Sequence, residues 1–183
     1  DIPEGDKVKL AKTLFCFENP PGTKYVSGSQ DSLGIILPGL NKFDYEKGEY
    51  WPSKIESMQD DEMLTWIEQR LWLIPLFPRS PGYDVLANTH IDENGARALS
   101  LAADEFWKAL MKKDAHSAGE AFTRSFEAQI SMYPNMVNAE ILEQIEHYKK
   151  VAMGWKISGA GGGGYLILFS EKPVENAIQI RIM

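Results

Sequence analysis

A glycine-rich run near the end of the chain restricts what the sequence can fold into more than any other feature. It consists of Ser158, Gly159, Ala160, Gly161, Gly162, Gly163 and Gly164. Glycine loses the most conformational entropy on folding, so such a run is typical of backbone that approaches another group closely or needs positive φ. Apolar residues at 153–157 and 165–169 predict a strand on each side. We therefore predict a turn whose N–H groups bind an anion such as phosphate; a flexible hairpin loop is the alternative.

Two common phosphate-binding motifs do not describe this run. Gly159, Gly161 and Gly164 satisfy the spacing G-x-G-x-x-G. The dinucleotide-binding form of that motif opens a helix, however, and residues 165–169 are strand-like. The P-loop needs Gly-Lys and then Ser or Thr after the glycines, and the sequence lacks these residues. The residues alone therefore indicate an anion-binding turn without naming its ligand.

The order of predicted elements indicates an α+β fold. Helical periodicity, capping residues and turn residues predict the segments. They are helices at 7–18, 94–113, 117–132 and 138–150, a loop with a short helix within 26–39, a hairpin from 41–45 and 50–52, an acidic loop at 58–62, a strand at 70–77, and a closing helix or edge strand at 175–181. We expect an antiparallel sheet with helices packed on one face.

The composition argues against several classes of protein. The 183 residues carry a formal net charge of −7 without a basic stripe, whereas nucleic-acid binding needs Lys and Arg to neutralise phosphates. No apolar stretch reaches the ~20 residues of a membrane span. Cys16 is the single cysteine, so no internal disulfide can form, and a reducing compartment such as the cytoplasm is expected. Its apolar neighbours predict that Cys16 is buried.

A family resemblance gives the glycine run an interpretation. The segment from Lys156 to Tyr165 resembles the third, C-terminal signature of the GHMP kinases, the superfamily of galactokinase, homoserine kinase, mevalonate kinase and phosphomevalonate kinase. The predicted context of strand, glycines and strand is similar as well. The resemblance implies the ferredoxin-like C-terminal domain of that superfamily. It also implies that residues 158–164 lie beside the phosphates of a nucleotide.

A segment further upstream carries a second resemblance. Gly28, Ser29, Gln30 and Asp31, followed by the run Pro38-Gly39-Leu40-Asn41, resemble the segment of sugar kinases that bears the catalytic aspartate. The resemblance implies that Asp31 is the general base, or orients the substrate hydroxyl, because phosphoryl transfer needs a positioned proton acceptor beside the attacking oxygen. It makes Gly28, Ser29 and Gln30 candidates for the substrate side. The alternative is that Asp31 only caps the short helix that begins nearby.

Within the superfamily, the pattern is similar to L-fucose kinases, including the Bacteroides-type bifunctional fucokinase/fucose-1-phosphate guanylyltransferase, and to heptose kinases. This resemblance implies transfer of phosphate from ATP, with Mg2+, to the anomeric hydroxyl of L-fucose. The alternatives are a heptose phosphate or another sugar as substrate, or a non-catalytic binding domain with the same fold. The resemblance also implies that residues 1–69 end the N-terminal kinase domain and that residues 70–183 form the C-terminal domain.

One part of the superfamily pattern has no counterpart in the sequence. The second signature, Pro-x-x-x-Gly-Leu-x-Ser-Ser-Ser, is absent, and so is the N-terminal substrate-binding signature. In the superfamily the second signature binds the ATP phosphates and helps to hold Mg2+. The resemblance therefore implies a missing N-terminal kinase region as the partner of this chain, with most Mg2+ ligands there. We expect no turnover by residues 1–183 alone.

Few other residues suggest a site. Arg79 lies in a loop after the predicted strand at 70–77, where its guanidinium could contact a phosphate or sugar oxygen; a solvated loop arginine is an equal alternative. The three histidines are far apart, without the spacing of a zinc site. The acidic residues at 60–62 are interpreted as solvated. No metal site is expected from this chain.

Overall fold

In the computed structural model, which describes residues 4–182, the chain divides into two units. The first contains residues 4–64 together with residue 182, and the second is Thr65–Arg181. The assignment of residues 1–69 and 70–183 to two kinase domains stays a prediction, and its outermost residues, 1–3 and 183, lie outside the described part of the chain.

The first unit contains two packed helices, α1 (Lys7–Glu18) and α2 (Ser29–Ile36). The Asp6 carboxylate begins α1 by accepting a hydrogen bond from the Lys9 amide at 3.1 Å, as a capping aspartate does. Ala11, Leu33 and Ile36 form the buried cluster that joins the two helices. The predicted helix at 7–18 is confirmed. The expected burial of Cys16 is wrong, because this thiol lies on the exposed side of α1.

The hairpin of the first unit is longer than the sequence predicted. Strand β1 (Leu40–Asp44) pairs with β2 (Lys54–Met58) in antiparallel register. The prediction of a strand at 50–52 is wrong. The Lys42 ammonium lies 3.1 Å from the Glu56 carboxylate on the opposite strand, and such opposite-charge pairs favour this register.

The predicted acidic loop at 58–62 is also wrong, because helix α3 covers Asp61–Glu68. The Asp60 carboxylate accepts a hydrogen bond from the Met63 amide at 2.8 Å and so begins the helix. Asp61 and Glu62 lie in the first turn, where negative charge interacts favourably with the helix dipole. The acidic residues therefore stabilise a helix start.

The second unit is built on a four-stranded antiparallel sheet. Its strands are β3 (Leu71–Pro75), β4 (Gly154–Ile157), β5 (Tyr165–Phe169) and β6 (Ile178–Gln179). The order across the sheet is β4-β5-β3-β6. The segment at 175–181, predicted as either a helix or an edge strand, thus contributes the edge strand β6. The α+β class with an antiparallel sheet is confirmed.

Three longer helices and a short 3-10 helix connect β3 to β4. They are α4 (Glu93–Met111), α5 (Ala115–Met132), the 3-10 helix (Pro134–Met136) and α6 (Ala139–Tyr148). Asp92, Asp114 and Asn138 begin the three longer helices by accepting a hydrogen bond from the amide three residues further on. Local capping chemistry at Asp92 and Asn138 therefore explains why α4 and α6 were predicted closely.

The core of the second unit places the glycine-rich turn at one end of the sheet. Ile141 and Ile145 of α6 pack in one buried cluster with Leu166 and Leu168 of β5. At the edge strand, α5 approaches the backbone of β4 so closely that a Cβ atom on Gly154 would lie 2.1 Å from the Gly119 carbonyl oxygen. Helix α5 thus holds the end of β4 that lies opposite the turn, and α6 packs on β5.

Candidate functional site

The glycine-rich turn, residues 158–164, has a backbone that only glycine adopts easily. Gly159, Gly161, Gly162, Gly163 and Gly164 all have positive φ, from +62° to +146°. L-amino acids with a Cβ atom pay about 1–2 kcal/mol for the left-handed region. Positive φ, one of the two reasons expected for such a run, is therefore confirmed.

Close packing is the second reason for the glycines. A Cβ atom on Gly161 would lie 2.6 Å from the Met136 carbonyl oxygen, and one on Gly162 would lie 2.2 Å from the Tyr83 ring. Gly161, Gly162 and Gly163 are buried. The turn is thus packed against neighbouring segments, which the alternative of a flexible hairpin loop does not explain.

The segment that follows β3, residues 76–84, supports the turn; we call it the support segment. The Leu76 amide donates to the Gly164 carbonyl at 2.8 Å, and the Gly164 amide donates to the Phe77 carbonyl at 3.1 Å. The Tyr83 hydroxyl donates to the Ala160 carbonyl at 2.6 Å. Burial raises the pKa of Tyr83, so its hydroxyl stays protonated as a donor.

Arg79 belongs to this support segment. Its Nε donates to the Gly161 carbonyl at 2.8 Å, and its guanidinium lies 5.8 Å from the centre of the Tyr83 ring. Sequence reasoning singled out Arg79 as a ligand contact, and the structure brings it to the glycine-rich turn. Its contact there is with the backbone of the turn, whereas a contact with substrate stays a prediction.

The 3-10 helix supports the turn from another side. The Gly162 amide donates to the Met136 carbonyl at 2.8 Å. The Asn135 side-chain amide donates to the Asp84 carbonyl at 3.0 Å, which ties the helix to the support segment. The turn is therefore fixed by two segments far from it in sequence.

Several N–H groups of the turn remain without an acceptor. Among residues 4–182, the amides of Gly159, Ala160, Gly161 and Gly163 donate no hydrogen bond. Of these four residues, Gly161 and Gly163 are buried, Ala160 is half-buried and Gly159 is exposed. A buried backbone donor without a partner is rare and costs about 1–3 kcal/mol. An open cavity of about 450 Å3 adjoins the turn; its lining residues are Pro78, Arg79, Ser158, Gly159, Gly164 and Tyr165. The arrangement suits an anionic ligand, since it offers N–H donors and a guanidinium.

Lys156 is a half-buried cation to which the sequence assigned no role of its own. It lies on β4 opposite Ile167, and its ammonium contacts the Ser125 hydroxyl at 3.3 Å. Burial lowers the pKa of Lys156 to about 8. A lysine inside an apolar strand is the signal that could have identified it.

Asp31 lies in the first unit, in the first turn of α2, and is exposed. The N-cap of α2 is Gly28, and no side chain caps this helix. Within residues 4–182 the Asp31 carboxylate has no hydrogen-bond or ion-pair partner. The alternative that Asp31 caps the helix is therefore wrong, and its role as a general base stays a prediction.

The three neighbours of Asp31 differ in what they offer a ligand. Ser29 is fully buried, and its hydroxyl donates to the Tyr50 carbonyl and lies 3.0 Å from the Tyr45 hydroxyl. Its side chain therefore holds α2 to the hairpin. Gln30 is exposed, and Gly28 is half-buried.

Residues 4–182 contain neither a grouping of metal ligands nor a membrane-spanning helix. In the part of the chain that the structure describes, no three His, Cys, Asp or Glu side chains are grouped so that they could hold a metal ion. No helix among residues 4–182 is both long and apolar enough to cross a membrane.

Comparison with known proteins finds one family model that covers the glycine-rich turn. Residues 96–181 match the family model of the GHMP kinases C terminal. No curated protein matches the sequence closely enough to count as a relative.

Several solved structures share the fold. A mevalonate kinase is 18% identical with a TM-score of 0.61, over 91% of this chain and 50% of that chain. A D-glycero-D-manno-heptose 1-phosphate kinase from Bacteroides thetaiotaomicron is 13% identical with a TM-score of 0.61, over 100% of this chain and 53% of that chain. The Methanococcus jannaschii mevalonate kinase is 18% identical with a TM-score of 0.64, over 98% of this chain and 57% of that chain. The chain thus spans about half the length of these structures, and the likeness shows the fold.

Proposed function

We propose that this chain is the C-terminal part of an ATP-dependent sugar kinase that phosphorylates the anomeric hydroxyl of a monosaccharide, with L-fucose as the specific substrate. The observation that carries the proposal is the glycine-rich turn: it is packed, it has unpaired N–H groups, and it lies within the residues that match the GHMP kinase model. The rest of the kinase would be an N-terminal region, which agrees with a chain that spans about half of the matched kinases.

A cytoplasmic location is proposed because the single cysteine permits no internal disulfide.

In the proposed reaction, the anomeric hydroxyl oxygen attacks the γ-phosphorus of ATP. The bond from that phosphorus to the bridging oxygen breaks, ADP leaves, and the hydroxyl proton passes to the Asp31 carboxylate. Asp31 is suited to accept it because its carboxylate is exposed and unpaired among the described residues. The N–H groups of the turn would donate to phosphate oxygens, where negative charge must be stabilised.

Mg2+ neutralises phosphate charge in kinases of this kind. The residues that the structure describes do not fit it, since they include no group of three or more carboxylate, histidine or cysteine ligands. We therefore assign no step of the reaction to a metal held by this chain.

A heptose phosphate is the alternative substrate. The heptose 1-phosphate kinase of known structure is similar in fold over the whole of this chain. At 13% identity this similarity supports the fold and leaves the acceptor to experiment.

The test measures ADP release by the full-length enzyme with ATP and a panel of sugars that includes L-fucose and D-glycero-D-manno-heptose 1-phosphate. We expect turnover with L-fucose; turnover with the heptose phosphate alone would support the alternative. Absence of ADP release with every sugar would leave a non-catalytic binding domain as the better explanation.

Asp31→Asn in the full-length enzyme should lower kcat by about 10²–10⁴-fold, the range for loss of a general base. Asp6→Asn is the matched control, since Asn caps helices as well as Asp and the same charge is removed from the first unit. If Asp31→Asn turns over as fast as the control, Asp31 has no catalytic role.

A further inference from the structure

Tyr83 contacts the glycine-rich turn in two ways, and no sequence motif indicates either. Its ring packs against Gly162, where an added Cβ atom would lie 2.2 Å from a ring carbon. Its hydroxyl lies 2.6 Å from the Ala160 carbonyl oxygen and 3.2 Å from that of Asn135. A hydroxyl has one hydrogen to donate, and the shorter contact indicates Ala160 as the acceptor. Packing alone would need the ring but not the hydroxyl.

The hydroxyl fixes more than one carbonyl group. A peptide unit is planar and trans, so the Gly161 N–H points in the direction opposite to the Ala160 C=O. Because Tyr83 holds that carbonyl, it also sets the direction of the Gly161 N–H. Gly161 is buried, yet its amide has no acceptor among residues 4–182. Such a donor indicates an acceptor that the chain itself does not supply.

The next peptide unit of the turn is fixed at both ends by protein groups. The Gly161 carbonyl accepts from Arg79 Nε, and the Gly162 amide donates to the Met136 carbonyl. The two adjacent amides therefore differ: that of Gly162 is used within the fold, whereas that of Gly161 is oriented but unpaired. This difference is what a site for a phosphate oxygen requires.

We propose that Tyr83 is a positioning residue, whose hydroxyl holds the Ala160–Gly161 peptide so that the Gly161 N–H donates to a phosphate oxygen. The identification of that phosphate as one from ATP rests on the proposed function. The orientation of the amide does not, and it can be tested with an inorganic anion.

The experiment uses the 15N-labelled chain and follows amide resonances during titration with pyrophosphate. In the wild type, the Gly161 resonance should shift with pyrophosphate, while that of Gly162, hydrogen-bonded to Met136, should move much less. Tyr83→Phe keeps the ring and removes the hydroxyl. It should weaken the pyrophosphate affinity by about three- to tenfold, the size of one net hydrogen bond.

Tyr133→Phe is the matched control, because Tyr133 adjoins the same 3-10 helix and its hydroxyl has no partner among the described residues. It should leave the affinity unchanged. In the full-length enzyme, Tyr83→Phe should raise KM for ATP but not KM for the sugar, a selectivity that a general loss of stability would not produce.

Three results would overturn the proposal: equal pyrophosphate affinity in wild type and Tyr83→Phe, equal weakening by both Phe variants, or no shift of Gly161 in the wild type. The last needs no variant, so it remains decisive if Tyr83→Phe fails to fold. A full-length enzyme without kinase activity, combined with the expected titrations, would reject the proposed function and support the positioning role of Tyr83.

Discussion

Gly162→Ala tests whether the glycine-rich turn is packed against the support segment. The new Cβ atom would lie 2.2 Å from one carbon of the Tyr83 ring and 2.4 Å from another. Real Cβ contacts are not that short, so the ring or the turn must move. The ring cannot move without lengthening the hydrogen bond from its hydroxyl to Ala160. The substitution therefore costs either packing or that hydrogen bond.

Gly164→Ala in the same turn provides the matched control. Both glycines have positive φ, +69° at Gly162 and +86° at Gly164, but a Cβ atom on Gly164 would meet no atom within 4 Å. The control should lose about 1–2 kcal/mol of unfolding free energy for the left-handed backbone. Gly162→Ala should lose about 1–3 kcal/mol more, the usual cost of overpacking. The difference between the variants isolates the contact with Tyr83.

Urea unfolding followed by tryptophan fluorescence measures both losses, since Trp66, Trp72, Trp107 and Trp155 lie in the second unit. Adding Tyr83→Leu, which removes the ring, should abolish the extra cost of Gly162→Ala in a double-mutant cycle. Equal losses for Gly162→Ala and Gly164→Ala would refute the reasoning, because backbone conformation alone would then explain both.

Two further predictions concern the second unit. Because the folded pKa of Lys156 is lowered to about 8, the unfolded chain binds more protons above that pH, and stability should rise from pH 8 towards 10 by up to about 3 kcal/mol. Lys156→Met should flatten this rise in urea titrations, whereas the exposed Lys150→Met should keep it. Gly154→Ala should lower the free energy of unfolding by at least about 3 kcal/mol, since its Cβ atom would lie 2.1 Å from the Gly119 carbonyl oxygen. Backbone atoms cannot move aside as the end of a side chain can. A thermal unfolding midpoint equal to that of the wild type would contradict the close approach of α5 and β4.

Elements with local signals were predicted well. The helix at 7–18 and the helices beginning after Asp92 and Asn138 follow from apolar periodicity and capping residues, which act within one turn. The strands beside the glycine-rich turn follow from short apolar runs. Helix α3 was missed because its acidic residues are also typical of a solvated loop, and only its cap at Asp60 distinguishes the two.

The candidate site was predicted in part. Arg79 was singled out, although the structure shows it supporting the turn through Gly161. Tyr83 and Lys156 were given no role. A tyrosine after a Pro-Gly turn carries no local chemical signal, and the lysine inside the apolar strand β4 was considered only as the first residue of the segment that resembles a kinase signature. Ser29 was proposed for the substrate side, yet tertiary packing buries it completely.

The sequence by itself determined that residues 158–164 form a turn between two strands and that its glycines can take positive φ, because only glycine adopts that backbone without penalty. Which N–H groups of the turn stay unpaired was decided by tertiary structure. Tyr83 and Met136 take up a carbonyl and an amide of the turn, and the chain separation between Tyr83 and Ala160 is 77 residues. Hydrogen bonds of that kind depend on how the sheet brings distant segments together, and no local pattern of residues contains that information.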